Sequence, residues 1–251
     1  MMADFFQTGT KGVNNTTRMM PRHTFSAVCL LLGLFWAAVD GLSLHNDGSQ
    51  STPMNIIVIG GSSGMGKAAA IACVKRGGKA LIVSRSKEKL ERAAKEICSY
   101  APSEISSNLG ENNLVVETAV LDATDEDAVK KFVEEKLMPP LHSSSDDHNP
   151  TCWDGLVISA AGKAPHGPVA ELATESTRQL FESKFWSAYH CAKHIGPMLS
   201  VGGGIVFVAG VLNRRPGMNC APLASTNGAL EGLTRALALE SGPNLRVNCL
   251  R

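Results

Sequence analysis

Residues 58–68 read VIGGSSGMGKA, and this stretch decides the fold. It follows the apolar run NIIVI at 55–59 and leads into a helical pattern, with Gly60, Gly64 and Gly66 between the two. The first glycine permits a tight exit from a strand, the second lets backbone approach a pyrophosphate, and the third allows close helix–strand packing. A helix N-terminus also presents free N–H groups to phosphates. The stretch therefore predicts a nucleotide-binding loop, and a glycine turn kept only for packing is the alternative.

Beyond this loop, short apolar runs alternate with helical patterns, which is typical of βαβ units and a parallel sheet. The further predicted strands are 79–84, 115–121, 153–159, 204–209 and 245–250. The predicted helices are 64–76, 87–98, 125–137, 174–199 and 221–241, and the predicted polar loops are 100–113 and 142–150. The pattern predicts an α/β fold, a Rossmann-type doubly wound parallel sheet with helices on both faces, which binds ligands at the carboxyl ends of its strands.

The end of the second predicted strand indicates which dinucleotide is preferred. Rossmann domains that bind NAD usually place Asp or Glu there, to accept hydrogen bonds from the ribose 2′-hydroxyl. This chain has Ser84, Arg85 and Ser86 instead. A carboxylate would repel a 2′-phosphate, whereas Arg85 can form a charge-assisted pair with it. The sequence therefore favours NADP(H) over NAD(H), and the alternative is that Arg85 is a solvated charge in a strand-to-helix turn.

Residues 1–52 are predicted to be an extension that precedes the domain at 53–251. Residues 25–39 read FSAVCLLLGLFWAAV, an apolar run without a charge, and basic residues lie before it. That order is typical of a secretory signal peptide. The run is short for a membrane span, which needs about 20 residues, but an uncleaved membrane anchor and a buried helix stay open. A signal would place the chain in the secretory pathway, the endoplasmic reticulum or another organelle, and otherwise the chain would be cytoplasmic.

The charge balance argues against nucleic acid as a partner. Lys plus Arg is 24 and Asp plus Glu is 23, a net charge of +1, whereas nucleic acids and anionic membrane surfaces demand concentrated positive charge. The seven cysteines form no C-x-x-C pair, and no histidine stands at metal-ligand spacing from them. We therefore expect small buried thiols, no disulfide framework and no metal site.

With the glycine loop, the Ser84–Ser86 segment and Asp122 in view, residues 54–251 resemble the short-chain dehydrogenase/reductase family. The resemblance implies an oxidoreductase that transfers hydride between a nicotinamide and a carbonyl or alcohol carbon of a small-molecule substrate. It implies that Asp122, with Ala123 beside it, bonds the adenine amino group. Residues 159–162 match the family's N-A-G stretch along the cofactor, with Ala160 where Asn is usual. The implied cofactor-binding positions are Gly60, Ser62, Ser63, Gly64, Met65, Gly66, Ser84, Arg85, Ser86, Asp122, Ala123, Ala160, Ala161, Gly162 and Asn227.

The residues that perform the chemistry in that family are replaced here. Its members typically use an Asn-Ser-Tyr-Lys tetrad, in which Tyr is the general acid/base. The matching positions of this chain hold, in that order, Lys184, Gly210, Leu223 and Asn227. Leucine has no proton to transfer and glycine cannot orient a carbonyl, whereas Asn227 can still bond ribose hydroxyls. General acid–base assistance contributes about 10²–10⁴-fold, so its loss would be heavy.

Three functional hypotheses therefore stay open. The first is an NADP(H)-dependent oxidoreductase with an atypical active site, and the second is a non-catalytic NADP(H)-binding regulatory protein. Helices 174–199 and 221–241 match the dimer face of relatives, so either version could form a homodimer. The third is a truncated inactive fragment, because the chain ends at Arg251, where relatives continue into a seventh strand. On this expectation the C-terminal strand is missing.

Several further residues have two interpretations each. Lys184 is either a replacement acid, if burial lowers its pKa, or a surface or ribose-contacting lysine. His190 and His194 lie four residues apart without an accompanying carboxylate, and we expect them on a helix surface or at an interface. Arg214 and Arg215 either attract an anionic substrate or are solvated.

Overall fold

The computed structural model describes residues 53–102, 114–138 and 153–251, which contain a six-stranded parallel sheet. The strands are β1 (Ile56–Ile59), β2 (Ala80–Ser84), β3 (Val116–Val120), β4 (Trp153–Ile158), β5 (Leu199–Val208) and β6 (Arg246–Leu250). They are ordered β3-β2-β1-β4-β5-β6. The chain reverses its direction of winding between β1 and β4, so a crevice opens there at the carboxyl edge. The predicted Rossmann-type doubly wound sheet is confirmed.

Helices cover both faces of the sheet. They are α1 (Gly64–Lys75), α2 (Lys87–Cys98), α3 (Glu126–Phe132), α4 (Thr174–Phe181), α5 (Ser187–Ile195) and α6 (Ala221–Ser241). Each connects two parallel strands, alone or with a neighbouring helix, as a crossover connection requires.

Strand β1 shows how the two layers are built. Ile56 and Val58 belong to a core that contains residues of α1 and α2. Ile57 and Ile59 point the other way and belong to a core with residues of α3, α5 and α6. All four side chains are buried, which explains why β1 is a continuous apolar run rather than an alternating one. The carboxyl end of β1 is thereby held firmly under the glycine loop.

Two of the predicted helices are wrong in part. The helix predicted at 125–137 turns π-helical at Val133–Leu137. The helix predicted at 174–199 is interrupted by a π-helical turn, Glu182–Trp186, and ends at Ile195. A short 3₁₀ turn then leads directly into β5, which begins at Leu199 rather than at 204. Apolar periodicity continues across such turns, so the sequence pattern does not show them.

Several expectations lie outside the described residues. These are the extension 1–52 with its apolar run 25–39, most of the loop 100–113, and the loop 142–150. Within the described residues, no helix is both long and apolar enough to cross a membrane.

Candidate cofactor site

A cavity of about 580 Å³ lies at the carboxyl edge of the sheet, formed by the segments that follow β1, β2, β3 and β4. It occupies the crevice that the strand order predicts. Thirteen of the fifteen positions implied for the cofactor line it, and the two exceptions are Gly66 and Asn227. The lining positions are Gly60, Ser62, Ser63, Gly64, Met65, Ser84, Arg85, Ser86, Asp122, Ala123, Ala160, Ala161 and Gly162.

The three glycines of the loop have three different surroundings. A Cβ on Gly66 would overlap the Ser159 Oγ and lie 2.6 Å from the Gly60 carbonyl oxygen, so α1 can begin against the sheet only at a glycine. Gly60 has φ +85°, and a Cβ there would lie 2.8 Å from the Ala160 backbone nitrogen. Gly64 has φ +55°, and a Cβ added there would meet no atom within 4 Å, so the backbone at Gly64 is open to the cavity. Gly66 therefore packs the loop, and Gly64 is the glycine that a ligand can approach.

Positive charge lies at the end of β2. The Arg85 and Lys89 side chains both line the cavity, both residues are exposed, and within the described residues neither forms an ion pair. The Ser86 Oγ accepts a hydrogen bond from the Lys89 backbone N–H at 3.4 Å and so caps α2. Sequence reasoning missed Lys89, although it lies in the first turn of α2, which begins two residues after Arg85.

The loop after β3 holds Asp122 in a fixed orientation. The Asp122 Oδ1 accepts hydrogen bonds from the Thr124 backbone N–H at 3.1 Å and from the Thr124 hydroxyl at 2.8 Å. The His190 Nδ1 lies 3.3 Å from the Ala123 carbonyl oxygen. This end of the cavity is therefore tied to α5, which carries His190.

Lys184, at the position that matches the family's Asn, lies in the π-helical turn between α4 and α5. It is 6% exposed, so the expectation of a surface lysine is wrong. Its ammonium group donates a hydrogen bond to the Ala209 carbonyl oxygen at 3.2 Å, just after β5. Burial lowers the pKa of Lys184, and the nearby thiol of Cys249 opposes that shift. π-helical turns inside helices are frequent at functional sites.

Two serines beside Lys184 join this turn to the cavity, and sequence reasoning missed both. Ser183 and Ser187 line the cavity. The Ser183 Oγ accepts a hydrogen bond from the Gly162 backbone N–H at 3.0 Å and donates one to the Leu180 carbonyl at 3.2 Å. The π-helical turn is therefore fixed directly to the segment that follows β4.

The other three tetrad positions provide no acid. Gly210 has φ +149°, and a Cβ there would lie 3.0 Å from the Asn227 Nδ2. Asn227 is 1% exposed, its Oδ1 has no hydrogen-bond partner in the described residues, and it does not line the cavity. Asn227 therefore lies buried outside the cavity lining, and its contact with the ribose stays a prediction. Leu223 is half-buried in the first turn of α6.

The two histidines of α5 have the carboxylate partner that the sequence did not reveal. The Glu126 Oε1, from α3, lies 2.8 Å from both the Lys193 Nζ and the His194 Nε2. Hydrogen bonds from Lys193 and His194 lower the pKa of Glu126 to about 2. His190 is buried, which corrects the expectation of a surface histidine. No group of three or more metal-ligating side chains occurs in the described ranges.

Arg214 is not simply solvated either. Its Nε lies 3.2 Å from the Oε1 of the buried Glu231 on α6. This ion pair joins the loop after β5 to α6.

Comparison with known proteins identifies one family that the chain matches. The family model described as short chain dehydrogenase matches residues 54–251. The chain is 27% identical over 197 residues to a tropinone reductase homolog of Arabidopsis thaliana, covering 77% of this chain and 66% of that protein. It is 28% identical over 195 residues to carbonyl reductase family member 4 of Danio rerio, covering 76% and 71%. The match to 3-ketodihydrosphingosine reductase of Mus musculus is 25% over 194 residues, with 75% and 52% covered. The chain thus spans between half and about 70% of these relatives.

Solved structures share the fold. A short-chain type dehydrogenase/reductase from Mycobacterium ulcerans matches with a TM-score of 0.65 at 24% identity, covering 79% of this chain and 66% of that one. An NADPH-bound short chain oxidoreductase from Pseudomonas aeruginosa PAO1, described as containing an atypical catalytic center, matches with a TM-score of 0.63 at 23% identity, covering 78% and 69%.

Proposed function

Because the chain belongs to the short-chain dehydrogenase family, whose members are oxidoreductases that bind nicotinamide dinucleotides, we propose that it uses NADP(H) to interconvert a carbonyl and an alcohol at an atypical active site. The observation that carries the cofactor preference is the charge at the end of β2. Arg85 and Lys89 line the cavity there, and the carboxylate that would bond a ribose 2′-hydroxyl is replaced by Ser84. Two cations attract a 2′-phosphate and a carboxylate would repel it.

The rest of the cavity fits a dinucleotide. The open backbone at Gly64 and the first turn of α1 would receive the pyrophosphate, since helix N-termini favour anions. Asp122, held by Thr124, would receive the adenine. When bound, the dinucleotide supplies or accepts the hydride. The chain's own residues must bind the substrate, orient it, and supply or accept the proton.

Lys184 is the residue we propose as the proton source. Reduction of a carbonyl needs a proton at its oxygen, and neither Leu223 nor Gly210 carries one. The Lys184 ammonium is buried beside the cavity, and a lowered pKa makes it a stronger acid than a solvated lysine. Lys184 would become neutral as the alcohol forms and regain its proton from water. A solved oxidoreductase of the same fold is described as containing an atypical catalytic center, so this fold is compatible with one.

The second candidate is a non-catalytic NADP(H)-binding protein. It is favoured by the observation that Lys184 does not line the cavity, although Ser183 and Ser187 on either side of it do. In this version the chain would bind the dinucleotide as a sensor or as the partner of an active homologue. A homodimer through α5 and α6 would suit either version and stays a prediction, as does a signal in residues 1–52.

The first test measures dinucleotide binding by the full chain, with fluorescence as the readout. We expect NADPH to bind more tightly than NADH. Arg85→Ala and Lys89→Ala should each weaken NADPH binding about tenfold, the size of one charge-assisted contact, and leave NADH binding unchanged. Lys87→Ala is the matched control, because Lys87 lies between Arg85 and Lys89 in the chain, is exposed and does not line the cavity. Equal affinity for the two dinucleotides would refute the proposed preference.

The second test separates the two candidates. NADPH oxidation is measured across a panel of aldehydes and ketones, with wild type and Lys184→Met. Turnover that the substitution reduces at least about a hundredfold, with NADPH affinity unchanged, would support Lys184 as the acid. NADPH binding without turnover across the panel would favour the non-catalytic protein.

A further inference from the structure

Three arginines converge on one buried carboxylate near the carboxyl ends of β5 and β6. The Glu231 side chain, on α6, is 8% exposed. Its Oε1 lies 2.7 Å from the Arg251 Nε and 3.2 Å from the Arg214 Nε. Its Oε2 lies 3.7 Å from the Arg235 Nη1, one helical turn along. We call Glu231 and these three arginines the arginine cluster.

The arginine cluster has a surplus of positive charge. Among the side chains, one carboxylate neutralises one of three guanidinium groups, which leaves two. Arg215, next to Arg214, is exposed and forms no ion pair within the described residues, so it adds a third positive charge. In the described ranges, Glu231 is the only carboxylate in ion-pair contact with any of these arginines.

The surplus donors remain accessible. A guanidinium has five N–H donors, whereas a carboxylate accepts about four hydrogen bonds, so three arginines cannot satisfy themselves on Glu231. The side chains of Arg214 and Arg251 are 56% and 39% exposed. Their ion pairs with Glu231 also hold the guanidinium groups in place, which reduces the ordering cost of binding an anion.

The position of the arginine cluster gives it a role. Arg214 follows the short 3₁₀ turn Val211–Asn213 after β5, and Arg251 follows β6 directly. Both therefore lie at the carboxyl edge, where the cofactor cavity lies at the ends of β1 to β4. In a doubly wound sheet ligands bind outside the carboxyl ends of the strands, so a substrate that reached the dinucleotide from the side of β5 and β6 would approach it past the arginine cluster.

We infer that Arg214, Arg215 and Arg251 bind an anionic group of the substrate, so that the chain selects carbonyl compounds bearing a carboxylate or a phosphate. The inference rests on the proposed function, because it names the substrate class for the same site. Planar guanidinium groups form bidentate hydrogen bonds with either a carboxylate or a phosphate. The positive field also raises the local concentration of an anionic substrate.

The test compares probes that share one reacting aldehyde and differ in charge. These are 4-carboxybenzaldehyde, 4-formylphenyl phosphate and the neutral methyl 4-formylbenzoate. Their binding to the full chain is measured by calorimetry with and without saturating NADP⁺, and NADPH affinity is measured separately on the same protein. We expect at least one anionic probe to bind about tenfold more tightly than the ester, and its affinity to fall with added salt.

The variants Arg215→Ala and Arg251→Gln should remove most of that tenfold preference and leave the binding of the ester unchanged. Arg215→Ala keeps every ion pair to Glu231, so it tests the inference even if Arg251→Gln does not fold. Arg92→Ala is the matched control, because Arg92 is exposed on α2, outside both the cavity and the arginine cluster. It should leave all three affinities unchanged.

Each outcome decides between the claims. Equal binding of the anionic and neutral probes, or a preference that survives Arg215→Ala, overturns the inference, even where NADPH binding and turnover leave the proposed function standing. An anion preference that Arg215→Ala removes supports the inference. If the same protein shows this preference but does not bind NADPH, the proposed function fails and the anion site remains.

Discussion

The ammonium group of Lys184 donates a hydrogen bond to the Ala209 carbonyl oxygen at 3.2 Å, and within the described residues it has no ion-pair partner. The contact joins the π-helical turn of the α4–α5 segment to the end of β5. A buried charge with one neutral partner is costly, and proteins that keep one commonly use it at a functional site.

Lys184→Met should raise the free energy of unfolding at pH 7 by on the order of 1 kcal/mol, because it replaces a buried ammonium with an apolar side chain of similar length. The folded-state pKa of Lys184 is lowered from 10.5. Between that lowered pKa and 10.5, the unfolded chain binds more protons, so wild-type stability rises with pH. The advantage of Lys184→Met should therefore be full below the lowered pKa and shrink as the pH approaches 10.5. Urea unfolding at several pH values measures it.

Lys87→Met is the control for this series, because the Lys87 side chain is 80% exposed and should give no such dependence on pH. A clear loss of stability in Lys184→Met at pH 7 would mean that the hydrogen bond to Ala209 outweighs the cost of burial.

Two substitutions in the glycine loop should separate an effect on stability from an effect on NADPH binding. Gly66→Ala should destabilise the chain by about 3 kcal/mol, because the new Cβ overlaps the Gly60 carbonyl oxygen and Ser159. Gly64→Ala should cost about 1 kcal/mol for its positive φ, yet reduce NADPH affinity strongly, because the Cβ enters the space left open for the cofactor. Thermal unfolding and NADPH titration of both variants measure the two effects.

Gly232→Ala serves as the control for both substitutions, since it lies inside α6 with open space around its Cβ. It should stabilise the chain by about 0.5–1 kcal/mol and leave NADPH binding unchanged. Our assignment of Gly64 to the cofactor would be wrong if Gly64→Ala bound NADPH as well as wild type does.

The dinucleotide preference should reverse on substitution of Ser84. Ser84→Asp places a carboxylate at the end of β2, which repels a 2′-phosphate and accepts hydrogen bonds from a 2′-hydroxyl. We expect NADPH affinity to fall on the order of 100-fold and NADH affinity to hold or rise. Competitive fluorescence titration gives both constants.

Ser84→Asn separates charge from size, because asparagine has nearly the same shape as aspartate without its charge. It should leave NADPH the preferred cofactor. Equal losses of NADPH affinity in the two variants would show that crowding, and not charge, acts at this position.

The features that sequence predicted well are local ones. The loop 58–68 could be placed because each glycine answers a requirement of the adjoining strand and helix. The strands could be placed because buried parallel strands are continuous apolar runs, as β1 is. The two π-helical turns were missed because they insert into a helix without breaking its apolar periodicity.

The contacts that sequence missed join segments far apart in the chain. Glu126 and His194 are 68 residues apart and meet only because α3 and α5 pack on the same face of the sheet. Ser183 and Gly162 also belong to different segments, and their hydrogen bond forms only where the fold brings those segments together at the edge of the cavity. Lys184 was singled out by resemblance, but its burial depends on how the π-helical turn faces the end of β5.

The ion pairs of Glu126 lead to a prediction about acid stability. Hydrogen bonds from Lys193 and His194 lower the pKa of Glu126 from 4.5 to about 2 in the folded chain. Its contribution to stability is therefore fully present above about pH 4.5 and is lost as the pH falls from there through about 2. Glu126→Gln should lower the urea midpoint at pH 6 and make it less sensitive to acid, so wild type and variant should converge toward pH 2. Glu171→Gln, at an exposed loop residue, should follow wild type throughout. If Glu126→Gln lost stability on acidification as steeply as wild type, the link between α3 and α5 would contribute nothing to folding.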